Sequence, residues 1–120
     1  MKIMLVDDDG GIQEVCKTIL QSEGYVVYGM MRCENVAELV EEVIRFQPSL
    51  VFMDQSMPHI SGAEAIEALR AGPVTRNVPV IYFSANVDIA RLAEKAGAND
   101  FLQKPFDIAE MFRIIELYGS

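Results

Sequence analysis

The feature that most constrains this chain is an alternation between two hydrophobic periods, repeated five times along its length. Ile3-Met4-Leu5-Val6, Tyr25 to Met30, Leu50-Val51-Phe52-Met53, Val78 to Phe83 and Phe101-Leu102-Gln103 read as short strands. The first is a short continuous apolar run, the pattern of a strand covered on both faces. Each strand is followed by a segment of helical spacing. Ile12, Val15, Cys16, Ile19 and Leu20 share one face of a helix closed by Gly24. Asn35 with Glu38 caps a second helix, whose apolar face is Val36, Leu39, Val40, Val43 and Ile44. Ser61 to Glu64 opens a third helix through Arg70, and Asp88 to Ala96 forms a fourth that ends at Gly97. Asp107 with Glu110 caps the last, with Ile108, Met111, Phe112 and Ile115 on one face. Strands that alternate with helices imply an α/β fold, a doubly wound parallel sheet covered on both sides.

Bulk properties fit one domain over residues 1–120. The chain is 51% hydrophobic and carries a net charge of −8, with 18 acidic against 10 basic residues. Such a balance argues against direct nucleic-acid binding and against an anionic membrane surface. No apolar run is long enough to cross a bilayer, and Met1-Lys2 leads straight into a strand with no signal-peptide pattern. Cys16 and Cys33 make neither metal-ligand spacing nor a disulfide framework, which suits reduced thiols in a cytoplasmic protein. The methionines read as core filler and His59 as an exposed loop residue.

Open parallel sheets place their chemistry beyond the carboxyl ends of the strands. The first strand ends in Asp7-Asp8-Asp9, the third in Asp54, the fourth in Ser84 and the fifth in Lys104-Pro105. Adjacent carboxylates repel, and their gathering at one sheet edge points to a hard divalent cation such as Mg²⁺. A hydroxyl and an ammonium beside them suit a phosphoryl group. Asp9 is also a candidate helix N-cap.

These residues carry a resemblance. Along its whole length the chain is similar to the response-regulator receiver domains of bacterial two-component signalling. The acidic pair of that family matches Asp7 and Asp8, and its phosphoacceptor aspartate matches Asp54 in FMDQSMP. Its hydroxyl residue matches Ser84 in YFSAN, and its Lys-Pro matches Lys104-Pro105 in FLQKPF.

The resemblance implies a (βα)5 fold with flavodoxin-like strand order 2-1-3-4-5. It implies a phosphoprotein that takes a phosphoryl group onto Asp54 from the phosphohistidine of a histidine kinase or phosphotransfer protein. By the same carry-over Asp8, Asp54 and the backbone carbonyl of Ser56 hold Mg²⁺, and Asp7 acts largely through water. Lys104 and Ser84 meet the phosphoryl oxygens, and the Lys104-Pro105 peptide is cis. Gln55, Ser56 and Asn86 tune the phosphoryl lifetime, while Ser84 and Phe101 switch a face read by a downstream protein.

Two departures stand out. Phe101 occupies a switch position often held by tyrosine, and Gly10-Gly11 frees the loop before the first helix. SANVDIA and KPFDIAE resemble stand-alone bacterial receivers, so no output domain is expected. Nor is a turnover enzyme, since the domain assists only its own phosphorylation and dephosphorylation. Competing readings are a haloacid-dehalogenase-like phosphatase with Asp7 as nucleophile and Asp9 as general acid, a flavin carrier, and a phosphorylation-independent interaction module.

Overall fold

The computed structural model describes residues 1–55 and 57–119. Its elements alternate as the hydrophobic periods require: β1 (Lys2–Val6), α1 (Gly10–Ser22), β2 (Val26–Met30), α2 (Val36–Phe46), β3 (Leu50–Asp54), α3 (Gly62–Ala71), β4 (Val80–Ser84), α4 (Ile89–Ala96), β5 (Asp100–Gln103) and α5 (Ile108–Tyr118). All pairings are parallel, in the order β2-β1-β3-β4-β5.

Alternation along the strands divides the core in two. Met4, Val6, Val51, Met53, Val80 and Tyr82 face α2, α3 and α4, where they meet Leu39, Val43, Ala65, Ile66, Leu69 and Ala93. Ile3, Leu5, Leu50, Phe52, Ile81 and Phe83 face α1 and α5, against Cys16, Leu20, Met111, Ile114 and Ile115. Every residue of β3 and β4 is buried, which explains their unbroken apolar runs. The edge strands β2 and β5 are only partly covered.

Boundaries depart from the sequence pattern where local chemistry intervenes. The fourth strand starts at Val80 rather than Val78, because Pro79 has no N–H to give to a ladder. Tyr25 lies outside β2, its N–H turned back to the Leu20 carbonyl at the end of α1. Asn35 and Ser61 cap α2 and α3 through their side chains as expected. Asp107 does not cap α5 in that way; its backbone carbonyl takes the Glu110 N–H instead. Gly24 and Gly97 have φ of 89° and 86°, the left-handed conformation that ends α1 and α4 cheaply. Val15 and Ile44, placed on apolar helix faces by periodicity, are exposed. No helix is long and apolar enough to cross a membrane among the described residues.

Candidate functional site

The carboxyl ends of β1, β3, β4 and β5 converge, and their loops bring five of the residues singled out above together. Asp7 is 1% exposed at the end of β1. Its Oδ1 accepts the Asp9 N–H at 2.8 Å, and its Oδ2 accepts Lys104 Nζ at 3.0 Å. Lys104 Nζ is also 4.0 Å from Asp54 Oδ1. One carboxylate oxygen from each of Asp7, Asp8 and Asp54 lies within 4.8 Å of the others, with Asp8 the exposed member. Unit charges at such a separation repel by about 1 kcal/mol even in water, and more at the edge of a protein. A single ammonium offsets part of this.

The donor set fits Mg²⁺. It offers hard oxygen ligands only, at least one of them facing solvent, as a cation that keeps several waters requires. Ser56, whose carbonyl the sequence reading also assigned to the metal, lies outside the described residues.

Lys104 is held in place from three sides. Its backbone N–H bonds the Ser84 carbonyl, and the Lys104-Pro105 peptide is cis. Beneath the ammonium lies the Phe83 ring, with Nζ 4.6 Å from its centroid. That ring is fixed edge-on by Phe52 and Phe106. A cation over a buried aromatic face is attracted to it by about 0.5–2 kcal/mol. In the sequence Phe83 is only the end of the fourth strand, since an aromatic in a buried strand gives no sign of which polar atom rests on it.

Ser84 begins a chain of hydrogen bonds that leads out of the site. Its hydroxyl donates to Gln55 Oε1 at 3.3 Å and accepts the Asn86 N–H at 3.0 Å. Asn86 Oδ1 in turn accepts the Asp88 N–H, and its carbonyl takes the Ile89 N–H that starts α4. Gln55, Ser84 and Asn86, named separately from the sequence, thus form one connected path from the β3–α3 loop to α4. Phe101 is 37% exposed and pairs with Tyr82 in the sheet, so both rings stand on the α4 side.

Asp9 caps α1, its Oδ1 accepting the Gly11 and Ile12 N–H groups. His59 is an exposed loop residue, 3.8 Å from Glu34. Both cysteines are free and buried. Burial raises the Cys16 pKa, with help from the Asp7 charge, and burial also pushes the Cys33 thiol up to about 11. Next to Lys104 opens an apolar groove of about 700 Å³, lined by Ile12, Val15, Ile19, Phe106 and Ile108 among others.

Residues 3–116 match the family described as the response regulator receiver domain. The chain belongs to that family. It is 36% identical to the chemotaxis protein CheY of Thermotoga maritima over 108 residues, covering 88% of this chain and 86% of that protein. It is 28% identical to the sporulation initiation phosphotransferase F of Bacillus subtilis over 119 residues, covering 98% and 92% respectively. Among solved structures it is similar to the receiver domain of the sensor histidine kinase PA1611 of Pseudomonas aeruginosa, which has a magnesium ion coordinated in the active site cleft. That likeness has a TM-score of 0.83 and 32% identity, over 98% of this chain and 95% of the other. Receiver domains are signalling modules of two-component and phosphorelay systems, not turnover enzymes, and they work with histidine kinases or phosphotransfer proteins. The strand order of this receiver is the flavodoxin-like one expected from the sequence.

Proposed function

We propose that this receiver is a cytoplasmic phosphoacceptor that takes one phosphoryl group onto Asp54 from a partner's phosphohistidine. The observation that carries the reading is the position of Asp54. It is buried at the end of β3, with the Lys104 ammonium 4.0 Å away and two further carboxylates in reach of a common cation.

An Asp54 carboxylate oxygen attacks phosphorus in line with the phosphohistidine P–N bond. The O–P bond forms as the P–N bond breaks, and its electron pair returns to the imidazole nitrogen. Little covalent assistance is needed, so positioning and charge neutralisation supply most of the acceleration. Lys104 pairs with one phosphoryl oxygen and the Ser84 hydroxyl donates to another. Asp8 and Asp54, with the Ser56 carbonyl, would ligate Mg²⁺. Asp7 would act through water, its oxygens being already engaged by Asp9 and Lys104. When bound, Mg²⁺ neutralises charge on the phosphoryl oxygens. Gln55, Ser56 and Asn86 set how long the acyl phosphate lasts. The apolar groove beside Lys104 gives the donor protein a surface to meet.

The phosphatase reading loses support on two counts. Asp7 is almost wholly covered, and the carboxylate of Asp9 is taken up by the first amides of α1. The two readings separate in one experiment. Incubation with acetyl phosphate and Mg²⁺, followed by intact mass spectrometry and a phosphate-release assay, is expected to give one phosphoryl group per chain and slow release. Rapid continuous release without a labelled species would favour the phosphatase.

Output follows from the Ser84 chain. A phosphoryl group on Asp54 adds acceptor oxygens, so the Ser84 hydroxyl leaves Gln55 and carries Asn86 and the start of α4 with it. Phe101 then has reason to bury its exposed ring on the α4 side, a gain that needs no phenol oxygen. The result is a two-state face of α4, β5 and α5 for a downstream protein. Ser84→Ala is expected to accept phosphoryl at Asp54 yet respond weakly. NMR with beryllofluoride, a phosphoryl mimic, checks this. Phe101 and α4 signals that shift as far as in wild type would remove Ser84 from the route.

A further inference from the structure

Gln13 is a polar residue on the buried side of α1, 6% exposed among apolar neighbours. An amide in such a place is costly unless its hydrogen bonds are met. At the nitrogen end the partners are all main chain. Its Nε2 lies 3.0 Å from the Leu5 carbonyl oxygen, 3.1 Å from that of Asp7 and 3.2 Å from that of Met30. Three acceptors around one end of the amide fix it as the nitrogen end, since Oε1 there would face three oxygens.

The other end needs space on β2. A Cβ at position 29 would sit 2.4 Å from Gln13 Oε1, so Gly29 is what lets the amide lie flat against the strand. The Met30 carbonyl also accepts the Asp7 N–H at 3.1 Å. Gln13 therefore ties a knot where the β1–β2 ladder stops and the acidic loop begins.

The knot has a direct mechanical consequence. The Asp7 carbonyl belongs to the planar peptide that leads to Asp8, so holding it fixes the Cα from which the Asp8 carboxylate hangs. Without a cation the clustered carboxylates push this loop apart, and the amide resists that push from below. We propose that Gln13 is a positioning residue for the carboxylates of Asp7 and Asp8, and that Mg²⁺ affinity depends on the two amide N–H groups it shares among these three carbonyls. This rests on the reading of those carboxylates as the metal site. Groups that orient metal ligands in this way are worth about 10–100-fold in affinity when removed.

Calorimetric titration of the full chain with Mg²⁺ tests it on four proteins. Gln13→Met keeps length and removes the donors, while Gly29→Ala pushes the amide aside and leaves Gln13 in the sequence. Leu20→Ala loosens the same helix by deleting a fully buried side chain and touches no loop carbonyl. The expected result is a dissociation constant raised about tenfold or more in Gln13→Met and Gly29→Ala. Leu20→Ala should lower the melting temperature and keep the wild-type constant. Should Gln13→Met fail to fold, Gly29→Ala decides alone. Wild-type affinity in both Gln13→Met and Gly29→Ala, or an equal loss in Leu20→Ala, would overturn the clamp and leave the metal site standing. A wild-type protein that takes up no Mg²⁺ would overturn the metal site and the clamp together.

Discussion

Asp54→Asn is expected to reduce phosphoryl incorporation to background with either a phosphohistidine donor or acetyl phosphate, while the domain stays folded. The substitution keeps the size of the side chain and removes the anionic oxygen that attacks phosphorus, so no acyl phosphate forms. Neither Asp7 nor Asp9 is placed to substitute. Asp7 is 1% exposed and bonded to Lys104, and Asp9 is committed to the amides of α1. Folding should survive because Lys104 keeps its closer partner, Asp7, at 3.0 Å. Removing one of three neighbouring like charges also relieves repulsion in the metal-free state. A melt at or above the wild-type temperature, with no label on intact mass spectrometry, is the predicted pair of observations. Labelling at the wild-type level would take the nucleophile's role from Asp54.

The second large effect belongs to Asp8. Asp8→Ala deletes the solvent-facing carboxylate of the cluster, and Mg²⁺ affinity should fall by at least about 10–100-fold, since a direct ligand matters no less than the groups that orient it. Stability should move the other way. Relief of about 1 kcal/mol of repulsion corresponds to a rise of about 3–6 °C in the metal-free melting temperature for a domain of this size. Saturating Mg²⁺ should stabilise the wild type and hardly affect the variant, because only a ligand that binds the folded state raises its melting point. Thermal melts with and without Mg²⁺ measure both effects. Unchanged Mg²⁺ affinity in Asp8→Ala would mean that a cation is held elsewhere.

Much of this architecture could be read from the chain because its strongest signals are local. Unbroken runs such as Leu50-Val51-Phe52-Met53 survive only in strands buried on both faces, and β3 is buried along its whole length. The side-chain caps at Asn35 and Ser61 are equally local, and both form. The placement of Asp54, Ser84 and Lys104 was legible because each ends a strand or directly follows one, and parallel strands must deliver their ends to one edge. What could not be read depends on partners without a sequence identity. Gln13 gives no signal in the sequence, since its partners are main-chain carbonyls of β1, β2 and the loop after β1. Phe83 looked like any core aromatic, because its contact with Lys104 spans β4 to β5. Asp9 carried two roles in the sequence, ligand-like acid or N-cap, and only the backbone geometry of α1 selects the second. Val15 followed the helical period yet lies 59% exposed, at the rim of the groove beside Lys104.

The most direct test of the central claim is to locate the phosphoryl group chemically. After a short exposure to a phosphorylated histidine donor and Mg²⁺, the acyl phosphate is reduced with borohydride, which converts the modified aspartate to homoserine. Peptide mass spectrometry then reads the position. Homoserine at residue 54, and only when Mg²⁺ is present, is the predicted result. Homoserine at residue 7, or phosphate release with aspartate intact at both positions, would contradict it.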